Sequence, residues 1–274
     1  MQSLSDIKCF LLDMDGTIYL GGKLISGALE FLDILKEEEK SFIFLTNNSS
    51  KGKDAYIKKL SALGIVVGED SVYSSGDATI YYINNIKPGA KIFLLGTPAL
   101  EEDFIRAGFE IVKERDQNID YVVLGFDTTL TYDKLWIACD YIKSGVSYLA
   151  THGDIVCPLE DNKTMPDAGA MIEMIKAATG RTPKIMGKPE EPIIEAIIEK
   201  FSLKREEIAM VGDRLYTDIK MGEVADITSI LVYSGETTKE MYALSDIKAS
   251  YEFPSVKELG DAIVKEKSKI IIEE

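Results

Sequence analysis

Short apolar runs, each followed by a helix-like stretch, recur along the chain and constrain its fold more than any other feature. IKCFLL (7–12) leads to GALEFLDILKEEE (27–39), with Leu29, Leu32 and Leu35 on one stripe. SFIFLT (41–46) leads through NNSS to KDAYIKKLSAL (53–63), closed by Gly64. Such strand–helix units predict an α/β fold, a doubly wound, mostly parallel sheet with helices on both faces. A second series begins after Pro88-Gly89: KIFLLG, YVVLGF and VSYLATH as strands, with helices near 98–107, 132–143 and 167–180. The runs ending in Leu-Gly, at 91–96 and 121–125, read equally as an internal repeat or as two ordinary strand ends. GDIVCPLEDNKTMP (153–166) reads as a loop, and Gly180 and Pro183 end the helix before them. From Lys184 the first pattern resumes, with strands IAMVGD (208–213) and ITSILVY (227–233) and a last helix near 255–265; KSKIIIEE is left without assignment. The chain therefore divides into a discontinuous core, 1–79 and 182–274, and an inserted α/β cap, 80–181, of a size typical of a domain.

Polar loops follow the core's apolar strands. Asp13-Met-Asp15-Gly16-Thr17 places two carboxylates one residue apart where a buried strand ends. Ligands bind at the carboxyl ends of strands in open α/β sheets. Holding charged carboxylates there is costly unless a cation or a reaction uses them. The alternative is a solvated Asx turn. Thr46-Asn47-Asn48-Ser49-Ser50 offers a hydroxyl, amides and backbone N–H groups to an anion, or else forms an N-cap and polar turn. Gly187-Lys188-Pro189 sets a lysine before a helix that Pro189 would open; a cation there opposes the helix dipole, so it suits a bound anion or carboxylate, unless it is a solvated surface lysine. Gly212-Asp213-Arg214-Leu215-Tyr216-Thr217-Asp218 ends another apolar strand, with Asp213 aimed at the same rim as Asp13 or capping the next helix.

DMDGT, LTNNSS, GKPE and GDRLYTD, in this order, resemble the motif loops of haloacid-dehalogenase-superfamily phosphatases, specifically the NagD-like, p-nitrophenylphosphatase-type branch with a large α/β cap. The likeness spans nearly the whole chain and implies a Rossmann-like core. It implies Asp13 as the nucleophile that forms an aspartyl-phosphate and Asp15 as the acid and then base. It implies Mg²⁺ held by Asp13, Asp15 (through its carbonyl) and Asp213, with Asp218 in a supporting role. Thr46, Asn47 and Asn48 would meet the phosphoryl group, and Lys188 would neutralise charge on it. The cap would read the leaving group, with His152, Asp154, Asp167 and the Gly125-Phe126-Asp127 loop as candidates, although a lone histidine such as His152, the chain's one, is more often a loop residue bonded to backbone. The insert carries no second pair of carboxylates with a basic partner, so it is expected to select substrate and exclude water.

The expected activity is Mg²⁺-dependent hydrolysis of small phosphate monoesters: p-nitrophenyl phosphate-type compounds, sugar phosphates or nucleotides. A phosphomutase or phosphotransferase would use the same aspartates. A non-catalytic phosphate sensor is disfavoured because Asp13, Asp15, Lys188 and Asp213 are all present. A dehalogenase needs neither Asp15 nor Asp213. The formal charge is −15, from 31 basic and 46 acidic residues, which argues against nucleic acid or anionic membrane as partner and for a small phosphorylated metabolite. No apolar run reaches the length of a membrane span. MQSLSDIK lacks the features of a signal peptide, and Cys9, Cys139 and Cys157 form no CxxC pair, so a cytoplasmic location is expected.

Overall fold

Residues 9–12, 208–212 and 228–232 are entirely buried and, apart from Thr228 and Ser229, carry no polar side chain, the signature of strands covered on both faces. In the computed structural model, which describes residues 2–116, 118–159 and 163–273, they lie at the centre of a six-stranded sheet. Its order is Tyr251–Phe253, Thr228–Val232, Ile208–Gly212, Cys9–Leu12, Ser41–Thr46 and Val72–Ser74. The pairing around the central strand is parallel, with Leu12 level with Val211 on one side and Phe44 on the other. Helix Ala28–Glu37 buries Ala28, Phe31, Leu32 and Leu35, the spacing of one helical face. Leu29, expected on that stripe, faces solvent and is 40% exposed, because at 3.6 residues per turn it lies roughly 160° round the helix from Phe31, off the face that Ala28, Phe31, Leu32 and Leu35 share. The last helix runs Val256–Glu273 and takes in the tail that the sequence left unassigned.

The chain parts into two compact units: Met1–Leu45, Ile57–Tyr73 and Pro189–Glu274 in one, Thr46–Tyr56 and Ser74–Lys188 in the other. The cap boundaries read from sequence, 80–181, fall inside the second unit. The loop 46–56 and residues 182–188 group with it because Asn47, Ser49 and Ser50 bond to Lys188, Thr151 and Thr97.

The second unit has its own five-stranded parallel sheet, in the order Lys184–Ile185, Ser147–Ala150, Tyr121–Leu124, Lys91–Leu95, Glu110–Ile111. Strand residues point alternately to opposite faces. Phe93 and Leu95 accordingly pack with Ile142 and Ile172, while Ile92 and Leu94 pack with Ile83 and Phe104. Strands Lys91–Leu95 and Tyr121–Leu124 are parallel neighbours, and each is followed by a helix capped by a threonine side chain, Thr97 or Thr131. Within the stretch read as a loop, Val156–Pro158 and Thr164–Pro166 form an antiparallel pair. Their few apolar residues are partly exposed, so no buried run marked them as strands.

Helix Pro98–Arg106 carries a half-buried carboxylate, Asp103. Burial, and then the charge of Asp77, push its carboxyl up to about 6 against the opposing pull of Arg106 and Lys53. A carboxyl raised on folding binds its proton more tightly in the native state, so its cost is absent below the unfolded value near 4 and complete above about 6. With allowance for its partial exposure this amounts to about 1–2 kcal/mol at neutral pH. Asp103→Asn should therefore raise the melting temperature by about 2–4 °C at pH 8 and leave it unchanged at pH 4, as followed by circular dichroism.

Candidate active site

The register of the central strands puts Asp13 and Asp213 at neighbouring strand ends, and the Asp13 N–H donates to the Val211 carbonyl at 2.9 Å. Carboxylate oxygens of Asp13, Asp213 and Asp218 lie within 4.8 Å of one another. Asp213 and Asp218 are buried, at 2% and 0% exposure. One oxygen of Asp213, Oδ2, accepts the Glu236 N–H at 2.6 Å. The other, Oδ1, is buried and has no hydrogen-bond partner among the described residues. Asp218 Oδ2 accepts the Arg214 N–H at 3.1 Å across the turn Leu215–Ile219. Asp213 thus caps no helix.

Glycines make room for this crowding. A Cβ on Gly16, whose φ is +90°, would stand 2.4 Å from Asp213 Oδ2, and one on Gly235 only 2.0 Å from it. A Cβ on Gly212 would stand 2.3 Å from the Asp218 side chain. The segment Ser234–Thr237 closes over the group: the Ser234 hydroxyl donates to the Gly16 carbonyl at 2.7 Å and the Thr237 N–H to the Asp213 carbonyl at 3.2 Å.

Burial first, then the charges of Asp13 and Asp218, hold the Asp213 carboxyl well above the ordinary range. Arg214 is partly buried, which disfavours its charge, but Asp13, Tyr216, Asp213 and Asp218 more than restore it. Asp15 is about half exposed, with Lys59 Nζ 4.0 Å from its Oδ2 and resting 3.8 Å above the Tyr19 ring. Partial desolvation and Asp13 raise the Asp15 carboxyl, while Lys59 opposes the rise. Three converging carboxylates, one with an orphaned buried oxygen, fit a hard divalent cation that takes oxygen ligands. The side chain of Asp218, read from sequence as a supporting residue, lies in this group together with Asp13 and Asp213.

In the second unit the Thr46–Ser50 segment folds on itself. Thr46 Oγ1 accepts the Asn48 N–H at 3.1 Å, and Asn48 Oδ1 accepts from Ser50 N–H and hydroxyl at 3.0 and 2.7 Å. Helix Lys53–Ala62 starts too far on for this segment to be its cap. Asn47 spans 141 positions to Lys188: its Oδ1 accepts the Lys188 N–H at 2.8 Å and its Nδ2 donates to the Lys188 carbonyl at 2.9 Å. Lys188 is 3% exposed and is no surface lysine. Pro189 lies in a turn, and the helix it was expected to open begins at Glu191, with Pro192 in its first turn. His152 is fully buried with both ring nitrogens engaged, Nδ1 with the Thr151 hydroxyl and Nε2 with Asp167, each at 2.9 Å. It presents no polar ring atom to a ligand. Phe126 is buried as well, and Asp127 is paired with Lys134 at 2.9 Å.

Residues 10–110 match the haloacid dehalogenase-like hydrolase family, and residues 185–259 match a second HAD-hydrolase-like family. An acid sugar phosphatase of Staphylococcus saprophyticus is 35% identical over 256 residues, covering 93% of this chain and 98% of that one. The chain belongs to the haloacid dehalogenase-like hydrolases. Within them it falls in the NagD-like, p-nitrophenylphosphatase-type branch, and its fold matches solved members closely. The 4-nitrophenylphosphatase of Thermotoga maritima superposes with a TM-score of 0.90 at 46% identity, covering 95% of this chain and 98% of that one. A glycerol phosphate phosphatase of Mycobacterium tuberculosis, solved in complex with magnesium, gives 0.86 at 26% identity, covering 94% and 78%.

For this HAD-like hydrolase, sequence reasoning passed over Ser234–Thr237, Arg214 and Lys59. The first carried a usable signal, since SGET follows the apolar strand ITSILVY just as the other polar loops follow theirs. Lys59 carried none, because nothing in a helix-borne lysine marks its nearness to Asp15. The raised carboxyl of Asp213 yields a test that needs no turnover. Asp213→Asn should raise the melting temperature of the metal-free protein at pH 8 by about 2–4 °C, because a costly buried charge is removed. Added Mg²⁺ should stabilise the parent further and leave Asp213→Asn unchanged, as read by differential scanning calorimetry.

Proposed function

We propose that this phosphomonoesterase hydrolyses small-molecule phosphate monoesters, of the p-nitrophenyl phosphate, sugar phosphate or nucleotide type, through an aspartyl-phosphate and with Mg²⁺. The observation that carries this reading is the buried Asp13–Asp213–Asp218 group with its orphaned oxygen, at the ends of adjacent parallel strands. Asp13 and Asp213, with the Asp15 carbonyl and support from Asp218, would hold the Mg²⁺, which when bound neutralises charge on the phosphoryl oxygens and the attacking carboxylate.

An Asp13 oxygen attacks phosphorus and the ester P–O bond breaks. The departing oxygen takes a proton from Asp15. A raised Asp15 carboxyl suits this step, because the group must start protonated. Asp15, now charged, takes a proton from water; the water oxygen bonds to phosphorus, and Asp13 leaves as carboxylate. Thr46, Asn47 and Asn48 act on the phosphoryl group through their loop, with the Asn47 side chain holding Lys188. Lys188 offsets charge on the transferring group. Its burial makes that charge effective, since screening by water is weak there.

The acidic balance of the chain favours a small metabolite over nucleic acid as substrate. Among the described residues no helix is long and apolar enough to cross a membrane. The cysteines are free thiols, in keeping with a reducing cytoplasm.

Acid-quenched mass spectrometry with p-nitrophenyl phosphate tests the two aspartate roles. Asp13→Asn should form no phosphoenzyme. Asp15→Asn should accumulate it, because nitrophenolate leaves without a proton while the second step lacks its base. A phosphoenzyme in Asp13→Asn would sink the assignment. Chelation by EDTA should stop turnover and added Mg²⁺ should restore it; activity that survives exhaustive chelation would remove the metal from the scheme.

A further inference from the structure

Asp154, His152 and Asp167 were expected to read the leaving group, yet their bonds run the other way, into the loop that grips Lys188. Asn47 presents one carbonyl oxygen and two N–H groups. The oxygen takes the Lys188 N–H, one N–H goes to the Lys188 carbonyl, and Nδ2 also donates to Asp154 Oδ1 at 3.2 Å. An amide turned end for end would direct its oxygen at both the Asp154 carboxylate and the Lys188 carbonyl, three acceptors with no hydrogen between them. Asp154 therefore favours the one orientation of Asn47 that binds the Lys188 main chain at both ends.

Asp154 is itself tied down. Gly169 N–H donates to its carbonyl at 2.8 Å, and Asp167 N–H donates to the Ile155 carbonyl at 3.0 Å. A Cβ on Gly169 would stand 2.3 Å from the Gly153 carbonyl, so only glycine permits this approach. Asp167, the N-cap of helix Ala168–Thr179, accepts from Ala168 N–H and bonds His152 Nε2. With a carboxylate accepting at Nε2, a neutral imidazole accepts at Nδ1 from the Thr151 hydroxyl. The Thr151 hydroxyl then accepts from Ser49, whose oxygen also takes the Phe126 N–H at 3.0 Å. One directed chain thus runs from the helix cap through His152 into the Thr46–Ser50 loop, and Asp154 joins the same loop through Asn47.

We propose that Asp154 is a positioning residue for Lys188, acting through Asn47, and that the His152–Asp167 pair fixes the 151–154 segment from which it acts. The proposal rests on the phosphatase reading for the role of Lys188. It gives this part of the inserted segment a share in holding the group common to all substrates, in place of the purely selective role expected from sequence.

Steady-state kinetics on p-nitrophenyl phosphate, a sugar phosphate and a nucleoside monophosphate, with calorimetric binding of orthophosphate and Mg²⁺, tests it in Asp154→Leu and Asp154→Asn. Asp154→Leu should lower kcat/KM by about 10- to 100-fold, the range for losing a hydrogen bond to a charged group. The factor should be the same for every substrate, and orthophosphate affinity should fall in step. Asp154→Asn, whose amide oxygen still accepts from Asn47, should recover most of both. Should Asp154→Leu not fold, Asp154→Ser, too short to reach Asn47, takes its place. A loss that differs between leaving groups with orthophosphate affinity unchanged would make Asp154 a substrate contact and overturn the proposal. So would full activity in Asp154→Leu or Asp154→Ser, or no recovery in Asp154→Asn. A parent protein that binds orthophosphate but hydrolyses none of the three esters would defeat the phosphatase reading alone, and the orthophosphate arm would still decide this one.

Discussion

Mutual repulsion among Asp13, Asp213 and Asp218 is the constraint around which the core is arranged. Three carboxylates whose oxygens approach within 4.8 Å, two of them buried, oppose folding unless positive charge or hydrogen-bond donors compensate. The fold provides donors on the protein side. Glu236 N–H serves Asp213 and Arg214 N–H serves Asp218, while the Arg214 guanidinium adds fixed positive charge. It leaves one oxygen, Asp213 Oδ1, without a donor among the described residues. The glycines at 16, 212 and 235 follow from the same crowding, since each lies where any side chain would collide with one of these carboxylates.

The parallel sheet was legible in the sequence because its strands are covered on both faces and therefore read as unbroken apolar runs. CFLL, IAMVG and the ILV that ends strand Thr228–Val232 are of this kind. Tyr251–Phe253 and the antiparallel pair Val156–Pro158 and Thr164–Pro166 were not, because half-exposed strands of three residues leave no such run. At the site, the aspartates could be found from their place after apolar strands. Their sharing of one small volume could not, because that depends on the one-residue register between strands 9–12 and 208–212.

The loop chemistry divides in the same way. Thr46–Ser50 and Lys188 stood out as polar interruptions, but the pairing of Asn47 with the Lys188 main chain joins residues 141 positions apart and has no local signature. His152 shows the opposite failure. A lone histidine invites a chemical role, whereas full burial and two engaged nitrogens make it part of the scaffold. Residue type alone could not separate these cases; the surroundings of each side chain do.

The Asn47–Lys188 amide pair also has a topological consequence. It joins the second unit's first segment to its last residue, so residues 48–187 form a ring closed by two hydrogen bonds. The entropy of closing a loop grows only with the logarithm of its length. Segments within the ring can therefore be lengthened or trimmed at their exposed turns with little energetic effect on the clasp. Such a closure lets the chain between residues 47 and 188 vary in length while the lysine at the clasp stays where it is.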